Sequence, residues 1–282
     1  MRIVSLLPST TEILFALGAG DQVVGVTFEC DFPPEARTRR IVSTSALPEG
    51  LAPAEIDAFV SEAVRRGEDL YHLDAGALAG LDADLVVTQD LCAVCAVDVS
   101  VVDEALAHLG CSARVLTVDP HTLEEVWSSI LELGAATGQD SRAAALVAEQ
   151  RARVTQVVFR RALARRPRVA VLEWTDPPFA PGHWVPEMVE LAGGLPVLGR
   201  PGQPSVRITW DDVRDARPDL VVVAPCGFDR PAAERLAAEL VASGRLPDVP
   251  VHAVDAQASW ARPGTRLVDG IEELAEILAQ HR

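Results

Sequence analysis

The first thirty residues constrain the fold more than any other part of the chain. Arg2 to Leu7 read as a buried strand, Ser9-Thr-Thr-Glu12 as a capping box opening a short helix that Gly18 ends, and Val23 to Thr27 as a second strand. Strand, helix and strand in so short a span is the signature of a parallel sheet, because parallel neighbours need a crossover and a helix is the usual one.

The alternation continues. Ala54 to Arg66 carry Ile56, Phe59, Val60 and Val64 at helical spacing, and Leu85 to Thr88 form a short apolar strand introduced by Asp82-Ala-Asp84. A helix over about 99–109, a strand over 113–118 and a helix from Leu123 to Thr137 closed by Gly138 follow. Ser141 to Arg165 is a polar, Ala- and Arg-rich helical pattern ended by Pro167; at 1.5 Å per residue it would span roughly 37 Å. It reads as a rigid connector or as a surface helix packed on one lobe. Beyond it come a strand at 168–174, a helix at 185–192 closed by Gly193-Gly194, a strand at 220–224, a helix at 232–242, a strand at 251–254 and a final helix at 267–280.

The expected fold class is α/β: two βα lobes with parallel sheets, residues 1–138 and 167–282, joined by one long backbone helix at 139–166, with a ligand cleft between the lobes. One internal echo supports two lobes built alike. LDADLVVTQDLC, Leu81 to Cys92, resembles ARPDLVVVAPCG, Ala216 to Gly227, each an Asp-Leu-Val-Val strand that delivers a cysteine just past its end.

Charge narrows the partners. A formal net charge of -16 repels phosphate backbones and anionic lipid surfaces, so neither nucleic acid nor a membrane surface is expected as a partner. No apolar run is long enough for membrane insertion, and Pro8 with the polar run Ser9 to Glu12 interrupts any export signal, so a cytoplasmic protein is expected. The odd count of five cysteines then reads as thiols or ligands rather than disulfides.

In open α/β sheets ligands bind beyond the carboxyl ends of the strands, and Cys30, Cys92, Cys95 and Cys226 all follow such ends. Cys92-Ala-Val-Cys95 is a CxxC that can grip a metal or form a short disulfide; with Cys30 and Cys226 it would give four thiolates, the set used by zinc or an iron-sulfur cluster. The alternative is that these cysteines are small buried hydrophobes, as Cys111 is expected to be. A third reading is redox exchange at the CxxC.

The segment from Glu173 to Glu187 gathers Trp174, Asp176, His183, Trp184 and Glu187 in a proline-stiffened loop. Flat indoles suit a planar or macrocyclic ligand, and His183 is either a metal ligand or a hydrogen-bonded loop histidine. Trp260 is a further candidate wall, and Arg262 and Arg266 before the last helix are placed to meet an anionic group. No phosphate-binding glycine loop or nucleophile elbow occurs, so no catalytic residues are assigned; the chain reads as a binding protein rather than an enzyme.

The opening RIVSLLPSTTEILFALGAGDQVVGVTFECDFPP, the AxxDLVVTQ strand, the long central helix and the AGG after the second-lobe helix resemble the cobalamin-type substrate-binding proteins of ABC transporters. ECDFP, TQDLCAVCAVD, LEWTDPPFAPGHWVPEMVELAGG, APCGF and RPGTR resemble a branch without export signals that is described as cobalamin-binding. The resemblance implies a two-lobed fold and a small-molecule metal chelate as partner: cobalamin or another corrinoid, haem or an iron chelate. A cytosolic member has no route to an outward-facing permease, which argues against an ABC transporter partner.

Overall fold

The computed structural model describes residues 1–48, 50–66, 68, 70–73, 75–89, 113–161 and 164–281. The chain divides into two compact units, Met1–Pro120 with Trp127–Val147, and His121–Val126 with Ala148–Arg282. The division falls within two consecutive helices, Leu123–Thr137 and Asp140–Arg161.

Among its described residues the first unit has six strands: β1 (Ile3–Ser5), β2 (Val23–Thr27), β3 (Arg40–Ser45), β4 (Tyr71–Leu73), β5 (Leu85–Thr88) and β6 (Arg114–Thr117). Their order is β4-β3-β2-β1-β5-β6, parallel throughout except for the antiparallel pair β3 and β4 at one edge. Ile3, Val4, Val86 and Val87 are all buried, so the central strands are covered on both faces, as continuous apolar strands of a parallel sheet must be. Val4, Leu6, Val42, Leu70, Leu81 and Val86 form the core on one side.

Two helices of this unit, α1 (Pro8–Ala16) and α2 (Pro53–Arg66), precede α3 (Leu123–Thr137) and α4 (Asp140–Arg161). The capping box expected at Ser9 to Glu12 does not form. Helix α1 begins at Pro8, whose fixed φ suits a first helical position, so Ser9 already lies inside the helix; the Thr10 and Thr11 hydroxyls donate back to the Leu7 carbonyl at 3.1 and 3.0 Å. The helix expected over 99–109 lies outside the described residues.

The second unit carries β7 (Arg168–Leu172), β8 (Trp174–Thr175), β9 (Pro178–Ala180), α5 (Val185–Leu191), β10 (Leu195–Pro196), β11 (Val206–Arg207), α6 (Trp210–Asp215), β12 (Leu220–Val223), α7 (Arg230–Ala242), β13 (Val251–Ala253), α8 (Ala256–Ser259) and α9 (Leu267–Gln280). Strands β10-β7-β12-β13 form a parallel sheet, and β11-β9-β8 a small antiparallel one. Arg153 of α4 forks onto Asp269 and Glu272 of α9, each at 2.6 Å, fastening the long helix to the last one. No described helix is long and apolar enough to cross a membrane.

The sequence echo has a structural counterpart. In the first unit the Asp84 carboxylate accepts the Arg2 backbone N–H at 2.7 Å, and the Asp84 N–H donates to the Arg2 carbonyl at 2.8 Å. In the second, Asp219 and Arg168 make the same two bonds, both at 2.7 Å. Both arginines also turn Nε onto a carbonyl two or three residues ahead of the aspartate, Leu81 or Arg217. Each Arg-Asp clamp satisfies the first backbone groups of two paired parallel strands, β1 with β5 and β7 with β12, and so sets their register.

Candidate functional site

The segments beyond the carboxyl ends of β7 and β12 are joined at one residue, Glu173. Its N–H donates to the Phe179 carbonyl at 3.1 Å, and its own carbonyl accepts the Cys226 N–H at 3.1 Å. Its carboxylate accepts the Ser205 hydroxyl proton, and Ser205 Oγ accepts the Gly182 N–H at 3.1 Å. One residue thereby fastens the β8-β9 hairpin, the turn after β12, the entry to α5 and the loop before β11. Burial pushes the Glu173 carboxyl up to about 7, against the opposing pull of its hydrogen bonds from Ser205 and Gly182.

Glycine is needed where these segments meet. A Cβ on Gly182 would lie inside van der Waals contact of the Gln203 carbonyl oxygen, the Ser205 nitrogen and the Pro204 carbonyl carbon. Gly199, at φ +76°, approaches the Pro181 carbonyl oxygen in the same way.

This knot positions the residues beyond it. Trp174 is half-buried and meets Phe228, in the turn after β12, edge to face at 5.6 Å and 69°. Phe228 in turn accepts the Gln257 N–H on its carbonyl at 3.0 Å, which brings in the segment after β13. Cys226 is exposed in that turn. Asp176, also exposed, sits at the hairpin tip 3.8 Å from Arg245, a surface pair of small energetic weight.

His183 is held in an unusual backbone state. Its φ is +50°, a left-handed conformation that costs a non-glycine residue about 1 kcal/mol or more. Two hydrogen bonds impose it: its N–H donates to the Gln203 carbonyl at 2.7 Å, and its carbonyl accepts the Gly202 N–H at 2.9 Å. The imidazole lies 5.7 Å from the His121 ring and 5.6 Å from that of Trp184. His121 is itself fixed, its N–H donating to the Glu125 carboxylate at 2.6 Å; that bond is the chief reason the Glu125 carboxyl stays below its ordinary value. Glu187 accepts the Leu123 N–H at 2.7 Å, and burial raises its carboxyl despite that bond, with Glu190, Glu125 and Glu124 adding to the rise.

Other expectations are corrected. Trp184 and Trp260, expected as walls of a ligand site, are 5 % and 1 % exposed and offer no open face. The Trp184 Nε1–H donates to the Trp260 carbonyl at 2.7 Å, and Trp260 packs under α9 at Gly270, where an added Cβ would come within 3.2 Å of its indole nitrogen. Both indoles stabilise the floor beneath the loops. Trp184→Phe should therefore leave a buried carbonyl without its donor and lower stability by about 1–3 kcal/mol, read by urea unfolding. Arg262 and Arg266 lie half-buried immediately before α9.

Among the described residues no group of three His, Cys, Asp or Glu side chains is placed to hold an ion. Cys30 is 2 % exposed, and its Sγ lies 3.0 Å from Thr11 Oγ1, in a buried network that continues to Ser5 and Thr10. It fits the alternative of a small buried thiol. Cys92, Cys95 and Cys111 lie outside the described residues.

Glu173, Gly182, Ser205, His121 and Phe228 are the parts of this site that sequence reasoning passed over. Only Gly182, set between Pro181 and His183 in a stiff loop, carried a visible signal.

A parallel sheet whose strand-end loops are tied together around Glu173, and a second sheet unit built on the same Arg-Asp clamp, define an α/β protein of two similarly built units. The chain belongs to the periplasmic binding protein family, which it matches over residues 3–244. It is 26% identical over 288 residues to an uncharacterized ABC transporter substrate-binding lipoprotein of Bacillus subtilis, covering 98% of this chain and 79% of that protein. Similar solved structures include the apo periplasmic heme-binding protein RhuT of Roseiflexus sp. RS-1, with TM-score 0.71, 20% identity and coverage of 99% of this chain and 98% of that one. The periplasmic vitamin B12 binding protein BtuF of Vibrio cholerae matches with TM-score 0.68, 19% identity and coverage of 99% and 97%. At these identities the structural likeness speaks to the fold: two α/β units of parallel sheets with a long helix.

Proposed function

We propose that this substrate-binding protein holds a small-molecule metal chelate, cobalamin or a related tetrapyrrole, against the strand-end loops of its second unit. The observation that carries the reading is the Glu173 knot, which ties four loop segments together through hydrogen bonds of the protein itself and so lowers the entropy cost of binding. The half-buried Trp174 against Phe228 supplies a flat apolar face suited to a macrocycle. The strained, doubly anchored His183 is the side chain offered to the metal. Relatives named for heme and for vitamin B12 support the ligand class.

Titration of the purified protein with cyanocobalamin, and separately with hemin, tests this. A saturable change in the ligand's absorption with quenching of tryptophan fluorescence is expected for at least one of them. Trp174→Ala should weaken that binding about tenfold or more, since burying one large aromatic is worth about 1.5–3 kcal/mol. Unchanged spectra with both probes, or equal affinity in Trp174→Ala, would refute the reading.

A further inference from the structure

The far end of α9 meets the sheet edge through two histidines. His252 is the middle residue of β13, the edge strand of the second sheet, and His281 is the cap of α9. Val251 and Ala253 line the apolar groove beside α7, so strand alternation turns His252 to the opposite face, where α9 lies. There the two Nε2 atoms stand 2.7 Å apart, with ring centroids at 4.9 Å and planes at 71°.

Two N–H groups cannot face each other at that distance, so at least one nitrogen presents its lone pair to the other. With the proton of each ring on Nδ1, both Nε2 lone pairs are available as donors to a metal ion. We propose that His252 and His281 form a two-imidazole site for a divalent transition metal of the nickel, copper or zinc class, with water completing the coordination. Imidazole nitrogen is the donor these ions favour over magnesium or calcium.

The spacing is close to what such an ion requires. Metal-nitrogen bonds of about 2.0–2.1 Å at a tetrahedral angle place the two nitrogens roughly 3.3 Å apart, an opening of about 0.6 Å from the contact seen. His281 can supply it, because it lies one residue beyond the last turn of α9, at φ −108° and ψ 58°, and its ring can retreat without moving the helix. The rings, tilted steeply to each other, do not stack face to face in the way of an ion between them. Bound metal would clasp the end of the last helix to the sheet edge, at residues separate from Trp174, His183 and the Glu173 knot.

Equilibrium dialysis of the full chain against Ni²⁺, after stripping with chelator, compares wild type with His252→Gln and His281→Gln. Glutamine keeps a polar group at each position while removing the imidazole. One equivalent of Ni²⁺ is expected to be lost, or weakened at least tenfold, in each single variant, and the double variant should lose no more than either. Thermal unfolding gives a second readout: saturating Ni²⁺ should raise the wild-type midpoint by about 3 °C or more and leave both variants unmoved. The same number of equivalents at the same affinity in all proteins, or an equal thermal rise in the variants, would overturn the proposal. Because the experiment uses the bare ion and no tetrapyrrole, its result is independent of the function proposed above.

Discussion

Gly182→Ala is expected to cost about 3 kcal/mol or more of stability and to abolish binding of a macrocyclic ligand. The added methyl would enter the space of the Gln203 carbonyl oxygen, the Ser205 nitrogen and the Pro204 carbonyl carbon, all backbone atoms. A flexible side chain could step aside, but backbone can give way only if the loop before β11 moves. That loop holds His183 through Gly202 and Gln203 and closes the Glu173 relay through Ser205, so one methyl would disturb both features on which the site depends. Overpacking of a well-filled interior costs about 1–3 kcal/mol, and more where nothing can relax.

Gly202→Ala is the matched control. Gly202 has φ +68°, but the nearest atom to an added Cβ is a Thr122 methyl at 3.5 Å, so only backbone strain applies, about 1–2 kcal/mol. Denaturant unfolding followed by tryptophan fluorescence should rank Gly182→Ala well below Gly202→Ala in stability. Equal losses in the two variants would mean that crowding at Gly182 is not what holds the loops together.

The legible parts of the fold are those whose signal is carried by consecutive residues. The apolar runs of β1, β2, β5, β7, β12 and β13 could be read directly, and so could α9, whose limits coincide with those expected. Strands β3 and β4 and the small sheet were missed because the elements are short, or, in β3, mostly polar: Arg40-Ile-Val-Ser-Thr-Ser alternates weakly, and β8, β10 and β11 have two residues each. Such strands exist because neighbours supply their partners, a tertiary effect with no local pattern. The Arg-Asp clamp accounts for the echo: the aspartate at the start of each Asp-Leu-Val-Val stretch has the same structural task in both units.

The site was legible in position more than in role. The rule that loops beyond strand ends carry ligands directs attention to the segment after β7 and the turn after β12, which the Glu173 knot ties together. It could not distinguish Trp174, left half-buried, from Trp184 and Trp260, which turn inward, because side-chain direction past the end of a strand or helix follows no period. Nor could it single out Glu173, which in the sequence looks like one more polar residue after a strand. Its importance comes from partners 9 and 32 positions away, Gly182 and Ser205, and only the folded chain brings them together.

Glu173 should also make the stability of the second unit depend on pH in a direction opposite to that of an ordinary salt-bridged carboxylate. Its carboxyl rises from 4.5 to about 7 because burial disfavours the charge and the hydrogen bonds from Ser205 and Gly182 only partly offset this. Between those values the folded chain binds a proton that the unfolded chain has released. Stability is therefore highest below about pH 4.5 as far as this group is concerned, and falls as pH rises through 7. At about 1.4 kcal/mol per unit, the loss is worth about 3 kcal/mol at most. Glu173→Gln has a similar shape and no charge to bury, so it should remove this dependence: relative to wild type, its unfolding free energy should improve by about 2–3 kcal/mol between pH 5 and pH 8. Parallel urea titrations of the two proteins across that range measure the difference. A constant gap would show that Glu173 is ionised at no cost in the folded chain, with its charge reaching solvent or a partner that the knot as described does not provide.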